Sequence, residues 1–162
     1  MTIVEFLRAF VADASIAVVI TDAQPRRPGP IILYANAAFG QLTGRTPNDV
    51  VGLSPRFMQG RETRRPVLDT FAAALAAGER FHGYLTNYRA DGSKYRVEID
   101  CRPLRGPSGQ VEHFVSFERE VVRRMGRPAF GLAGRYEPAT PSNHSLTGAF
   151  RDMGVFSSDE PP

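Results

Sequence analysis

The 162 residues suffice for one domain of ordinary size with a tail, and a hydrophobic share of 42% is that of a soluble core. No apolar run is long enough to cross a bilayer, the opening "MTIVEFLRAF" lacks a basic stretch before a small-residue cleavage site, and Cys101 alone rules out an internal disulfide or a multi-cysteine metal centre, so a cytoplasmic protein is expected. Net charge is +3, Lys94 is the sole lysine, and acids lie among the arginine clusters without alternating aromatics, so those clusters read as a solvated surface rather than a nucleic-acid interface.

Ile3, Phe6, Leu7, Phe10 and Val11 recur at helical spacing, which predicts an amphipathic helix over Thr2 to Ala12 that needs a surface to pack on. "SIAVVITDA" and "IILYA" are strands joined as a hairpin by the turn-rich "QPRRPGP". Asn36 caps a helix over Ala37 to Thr43, and Gly44 stops it. Thr46-Pro47 and Ser54-Pro55 start two short helices, ended by Gly52 and just after Met58. Thr63 is placed to cap a longer helix over Arg64 to Ala77, stopped by Gly78.

Three strands follow. "RFHGYLTNY" and "SKYRVEIDCRPL" flank the Asp-Gly turn of "RADG", and "QVEHFVSFERE" comes after "RGPSG". In the middle strand Tyr95, Val97, Ile99 and Cys101 share a core face, and Arg96, Glu98, Asp100 and Arg102 share a face expected to be partly wet. Tyr84, Val115 and Phe117 form an apolar patch on that outer side that something should cover. "EREVVRRMGR" reads as a short helical stub. The Gly-, Pro- and Ser-rich residues from Pro128 read as a flexible, mostly disordered tail. Within it "LTGAFRDMGVF" is a candidate partner-binding segment, weakened as a helix by two glycines.

This order is α+β. With "VVITDA", "ILYANAAFGQLTGRTPNDVVG", "PRFMQGRET", "LTNYRADGSKY" and "VEHFVSFE" in sequence, the chain resembles a PAS domain, and within PAS domains the light-oxygen-voltage (LOV) flavin-binding branch. The resemblance implies a PAS fold: a five-stranded antiparallel sheet with short helices and one longer helix on one face. The divisions expected are a cap helix at 1–14, the PAS domain at 15–120, the stub at 121–127 and the tail at 128–162.

Carried over position by position, the resemblance implies that Arg56 pairs with the phosphate of FMN, Gln59 contacts its side chain and Asn87 reads the polar edge of the ring. The photoactive cysteine's position holds Pro55, so no cysteinyl adduct forms there. The second phosphate arginine is Ala72, the second ring-edge asparagine is Val97, and the glutamine near the reactive flavin nitrogen is Glu118. Cys101 lies roughly 13 Å along its strand from position 97 and reads as a buried small hydrophobe. Losing one arginine and one asparagine weakens FMN binding by roughly 2–4 kcal/mol.

Two readings stand. One is a sensory and regulatory module, cysteine-less and LOV-like, that binds FMN and signals through a homodimer or a protein partner. The other is a PAS dimerisation or interaction module without ligand. No nucleophile–base pair, metal-ligand cluster or phosphate loop points to an enzyme; His82 and His113 fall on the outer sheet face and His144 in the tail.

Overall fold

Thr2 and Glu5 close a capping box at the head of α1 (Ile3–Val11): Thr2 Oγ1 accepts from the Glu5 amide at 3.2 Å, and Glu5 Oε2 accepts from the Thr2 amide at 2.6 Å. The computed structural model describes residues 1–127, 131, 133–140 and 145–156. After α1 come β1 (Ala17–Asp22), β2 (Ile32–Ala35), α2 (Ala37–Thr43), α3 (Pro47–Val50), a one-turn 3₁₀ helix at Pro55–Met58, and α4 (Arg65–Ala77). Then follow β3 (Phe81–Tyr88), β4 (Lys94–Arg105), β5 (Val111–Arg123), β6 (Tyr136–Pro138) and α5 (Ser145–Asp152).

The strands form one antiparallel sheet in the order β2-β1-β5-β4-β3, with β6 paired to the end of β5. Asn36 ties the first elements together. Its Oδ1 accepts from the amides of Val18 (2.9 Å) and Phe39 (3.0 Å), capping α2, while its Nδ2 donates to the carbonyls of Val11 and Ile16. One buried side chain thus fixes the end of α1, the start of β1 and the head of α2. Gly44 takes φ 68° at the end of α2, the left-handed conformation that a β-carbon disfavours.

Two expected caps differ. Thr46 makes no side-chain cap bond at α3. Thr63 does not cap α4; its hydroxyl donates to the Thr86 carbonyl at 2.6 Å and accepts from the Gly60 amide, so it fastens the loop before α4 to β3. Gly60 is required there, because a β-carbon would stand 2.4 Å from the Tyr88 ring.

The inner sheet face packs on α2, α3 and the 3₁₀ turn through Val19, Ile32, Phe39, Val50 and Met58, and on α4 through Phe81, Leu85, Val97 and Phe114. Phe71 of α4 stacks on Phe81 at 4.1 Å.

The outer face is where the sequence expectations need correcting. The sheet has six strands, not five, and residues 121–123 are the end of β5 rather than a helical stub, because Val121–Arg123 pair with β6. The tail is not simply flexible: β6 and α5 come from it. Residues 128–130, 132, 141–144 and 157–162, which that expectation and His144 also covered, lie outside the described residues. Despite Gly148, α5 forms because Phe150, and Val155 just beyond the helix, bury against Val18, Ile20, Val115 and Phe117. Fully burying one such side chain is worth about 1.5–3 kcal/mol, more than the roughly 1 kcal/mol a helical glycine costs. The inner side of α1 (Val4, Leu7, Val11) joins the same cluster, so the predicted apolar patch is covered from within the chain.

Glu98 and Asp100 are therefore buried, not wet. Asp100 accepts from both Arg80 (Nε 2.9 Å, Nη2 2.8 Å) and Arg102 (Nε 3.0 Å, Nη2 3.1 Å), and from the Phe156 amide at 2.8 Å. The same guanidiniums donate to the carbonyls of Met153 and Gly154, closing a clasp around the chain after α5. Glu98 accepts from Arg119 at 2.7 Å and from the Tyr84 hydroxyl at 3.2 Å, with His82 Nε2 at 3.0 Å. Tyr136 of β6 stacks on Tyr84 at 4.7 Å.

Candidate functional site

Between the inner sheet face, the 3₁₀ turn and α4 lies a cavity of about 140 Å³. Ser54 Oγ starts the turn by accepting from the Arg56 amide, and Pro55 occupies its first position, so this local cap places Arg56 and Gln59 at the cavity edge. Of the predicted site residues, Arg56, Gln59, Asn87 and Glu118 all line this cavity. Val97 is not among its lining residues; it is fully buried in the packed cluster with Leu85 and Ile99.

Its other lining residues include Cys101, Arg27, Arg65 and Asp69, which the sequence expectations did not assign to the site. Cys101, read there as a small buried hydrophobe, borders the cavity beside Ser116, its partner in the β4–β5 register. Burial pushes its thiol up to about 12, so it stays protonated and unreactive at neutral pH. Arg27, from the loop joining β1 and β2, and Arg65, at the first turn of α4, add two guanidiniums to that of Arg56. The hairpin loop is held by Asp22 Oδ1, which accepts from the amides of Gln24 (3.2 Å) and Ile31 (2.8 Å), and by Arg56 Nε, which donates to the Gly29 carbonyl at 3.3 Å. Arg65 is paired with Asp69 at 2.9 Å on an exposed stretch of α4. The signal for both arginines was present as clusters, but which arginine of a cluster turns toward the cavity depends on the loop path.

Among the buried polar residues of the lining, Glu118 carries the acid. Glu118 faces inward between Ala17 of β1 and Ile99 of β4. Its Oε2 is buried and has no hydrogen-bond partner among the described residues, and burial pushes the carboxyl up to about 7. The salt bridge to Arg56 that a buried acid invites is absent; Arg56 is turned to the Gly29 carbonyl instead. Asn87 pairs with Tyr95 across β3 and β4, its amide beside the buried phenol, and burial followed by the Glu118 carboxyl raises the Tyr95 pKa. Phe71, Leu68 and Leu75 of α4 supply an apolar wall opposite Leu85 and Ile99.

The cavity's volume is close to that of engineered cavities that admit one aromatic ring. A larger ring system needs more room than this; none of the 13 residues of α4, which forms one wall, is fully buried.

A PAS-domain family model matches residues 16–122, from the start of β1 to the end of β5. The chain belongs to the PAS-domain family. It is 36% identical over 114 residues to the bacterioopsin transcriptional activator of Halobacterium salinarum, covering 70% of this chain and 16% of that protein. To phototropin-2 of Oryza sativa subsp. japonica it is 36% identical over 105 residues, covering 65% of this chain and 11% of the relative. Among solved structures, a LOV domain studied with a flavin analogue superposes with a TM-score of 0.65 at 32% identity, over 72% of this chain and 85% of that one. This PAS chain thus spans a small part of its curated relatives and most of a LOV domain. It is a sensory and regulatory module of the LOV-like kind. Among the described residues no helix is long and apolar enough to cross a membrane, and no cluster of ligating side chains could hold a metal ion.

Proposed function

We propose that this PAS domain binds a flavin in the cavity under α4 and signals by changing contacts with a second copy or a protein partner. The observation that carries the reading is Glu118: a buried carboxyl oxygen without a protein partner, inside a cavity also lined by Arg27, Arg56 and Arg65. A ring with a polar edge and an anionic tail, as in FMN, suits both features. Arg56, with the other two arginines, holds the phosphate; Gln59 contacts the ribityl chain; Asn87 reads the ring edge; Leu68 and Phe71 cover one face. A bound flavin supplies visible absorption and accepts electrons. Pro55 offers no nucleophile at the position the resemblance gives to the photoactive cysteine, so in this reading illumination forms no sulfur–carbon bond there.

The expected result is a flavin spectrum, for the purified chain or after adding FMN, whose blue absorption does not bleach reversibly under blue light. Reversible bleaching overturns the cysteine-less reading. A protein that takes up no flavin under either condition is the ligand-free interaction module, which the small enclosed volume and the Arg56–Gly29 bond favour.

The partner is a second copy in this reading. α1 has a second apolar side, where Ile3, Phe6 and Phe10 remain 46%, 55% and 45% exposed. Two such stripes packed about a twofold axis bury each other. Removing residues 1–14 also uncovers Val18 and Ile20, so a point change is the cleaner test. Phe6→Glu is expected to shift the chain toward monomer in sedimentation equilibrium at unchanged thermal stability. An unchanged mass sinks the α1 interface.

A further inference from the structure

At the end of the sheet the fold separates arginines from their acids. Along the chain Arg119, Arg123, Arg124 and Arg127 follow one another with Glu118 and Glu120 beside them. Once folded, Glu118 faces the cavity, Glu120 is paired with Arg89 at 2.6 Å, and Arg119 is taken by buried Glu98. Arg135 arrives just before β6, and Arg96 from the start of β4. Arg96, Arg123, Arg124, Arg127 and Arg135 are then left with no carboxylate at salt-bridge distance among the described residues, and all but Arg96 are exposed. None of them lines the cavity. The sole lysine, Lys94, is held by Glu62.

Two contacts distinguish this cluster from an ordinary solvated surface. The Arg124 amide donates to the Arg135 carbonyl at 2.9 Å, one step past the Arg123–Tyr136 pair, so Arg124 and Arg135 stand opposite each other on neighbouring strands. Like charges placed this way destabilise a sheet, and the acid of β6, Glu137, stands opposite Val122 instead. The cations are also held in place. Arg96 lies over the Tyr136 ring at 5.6 Å, that ring stacks on Tyr84, and Arg124 Nε donates to the Tyr136 carbonyl at 3.1 Å. By strand alternation Arg96 and Arg123 lie on the outer face, and Arg124 and Arg135 on the other side. The charge therefore wraps an edge, which suits a passing strand of anions better than a flat anionic surface. Planar guanidiniums take phosphate oxygens in pairs and keep their charge at every working pH.

We propose that the β5–β6 end binds the phosphate backbone of a nucleic acid, without reading its sequence, through Arg96, Arg123, Arg124, Arg127 and Arg135. This surface is separate from the cavity and does not depend on a bound flavin.

Fluorescence anisotropy of the full chain with a labelled mixed-sequence oligonucleotide of about 20 nucleotides, single-stranded and duplex, tests it. Binding is expected in the micromolar range at about 50 mM salt, weakening on the order of a hundredfold by about 200 mM if about four phosphates are contacted. Arg123→Glu with Arg124→Glu should weaken binding about tenfold or more. Arg61→Glu with Arg64→Glu, which makes the same change in net charge at exposed positions elsewhere, should leave it nearly unchanged. Arg124→Glu alone gives Arg135 an opposite charge across the strands, so it should keep or raise the thermal midpoint while weakening binding. A loss of stability and binding together overturns the reading, because Arg124 then serves the fold. No binding at about 50 mM salt overturns it, as does an equal loss in the two double variants. Equal or tighter binding to poly-glutamate, or to vesicles of phosphatidylserine and phosphatidylcholine, overturns the assignment to nucleic acid.

Discussion

Replacing Asp100 by Ala is expected to cost about 3–5 kcal/mol of folding stability, because it leaves two guanidiniums facing each other at a site built around one carboxylate. Arg80 and Arg102 are partly exposed, at 22% and 27%, and can recover some hydration, so the lower end of that range is the better figure. For a chain of this size the thermal midpoint should drop by about 6–12 °C. The loss should be concentrated in the clasp. Met153, Gly154 and Phe156 are held there through backbone groups, so the variant should be cut by protease near residues 153–156 before the sheet unfolds. A variant with wild-type stability and no early cleavage rejects the clasp.

The same site sets an acid limit. Burial alone raises the pKa of Asp100, but hydrogen bonds from Arg80, Arg102 and the Phe156 amide outweigh it and hold the carboxyl below its ordinary range. Glu98 is likewise raised by burial and brought below its usual value by His82 and Arg119. A depressed folded pKa gives stability that is complete above the unfolded value, about 4, and fades as pH falls through the lower folded value. Acid should therefore release the C-terminal segment in this window, and Asp100→Ala should remove part of that pH dependence.

How the fold was written in the sequence differs between its two faces. On the inner face, local chemistry decides: Asn36 before an amphipathic run, Gly44 after it, and Pro55 at a helix start are legible because each acts within four residues of itself. Arg56, Gln59, Asn87 and Glu118 came from the resemblance to LOV domains rather than from local chemistry, and all four line the cavity. The outer face is decided by a long-range encounter. Nothing near Glu98 or Asp100 says that residues 153–156 will cover them, and alternation of charged with apolar residues is the ordinary mark of a wet face. The tail's glycines and prolines argue against order locally, while the burial of Phe150 and Val155 overrides them. Cys101 is the small buried side chain expected, packed with Val97, Ile99 and Phe114; what distance along one strand does not show is that the cavity reaches across strands to its wall.

Replacing Glu118 by Gln is expected to stabilise the chain at pH 8 and to leave it little changed at pH 5. Burial alone lifts this carboxyl to about 7. The sign is opposite to that of Asp100. Between about pH 4.5 and 7 the unfolded chain releases this proton while the folded chain keeps it, so stability falls as pH rises through the window and levels off above it. A shift from 4.5 to about 7 corresponds to something on the order of 3 kcal/mol at pH 8. Glutamine has the same shape and no charge, and its amide replaces a protonated carboxyl equally short of a partner, so it removes that loss at pH 8 and changes little at pH 5. The gain at pH 8 is then up to about 3 kcal/mol. Urea unfolding of both proteins at pH 5 and pH 8 reads it directly: wild type should lose stability between the two and Glu118→Gln should lose less. Parallel pH profiles reject an uncompensated acid at this position. A natural domain that keeps so costly a group in the wall of a cavity, with Arg56 beside the same cavity bonded elsewhere, has a carboxyl placed for something other than the fold. A ligand that offers a hydrogen-bond donor to Glu118 should therefore flatten the wild-type profile toward that of the variant, and that flattening separates a bound ligand from a merely tolerated defect.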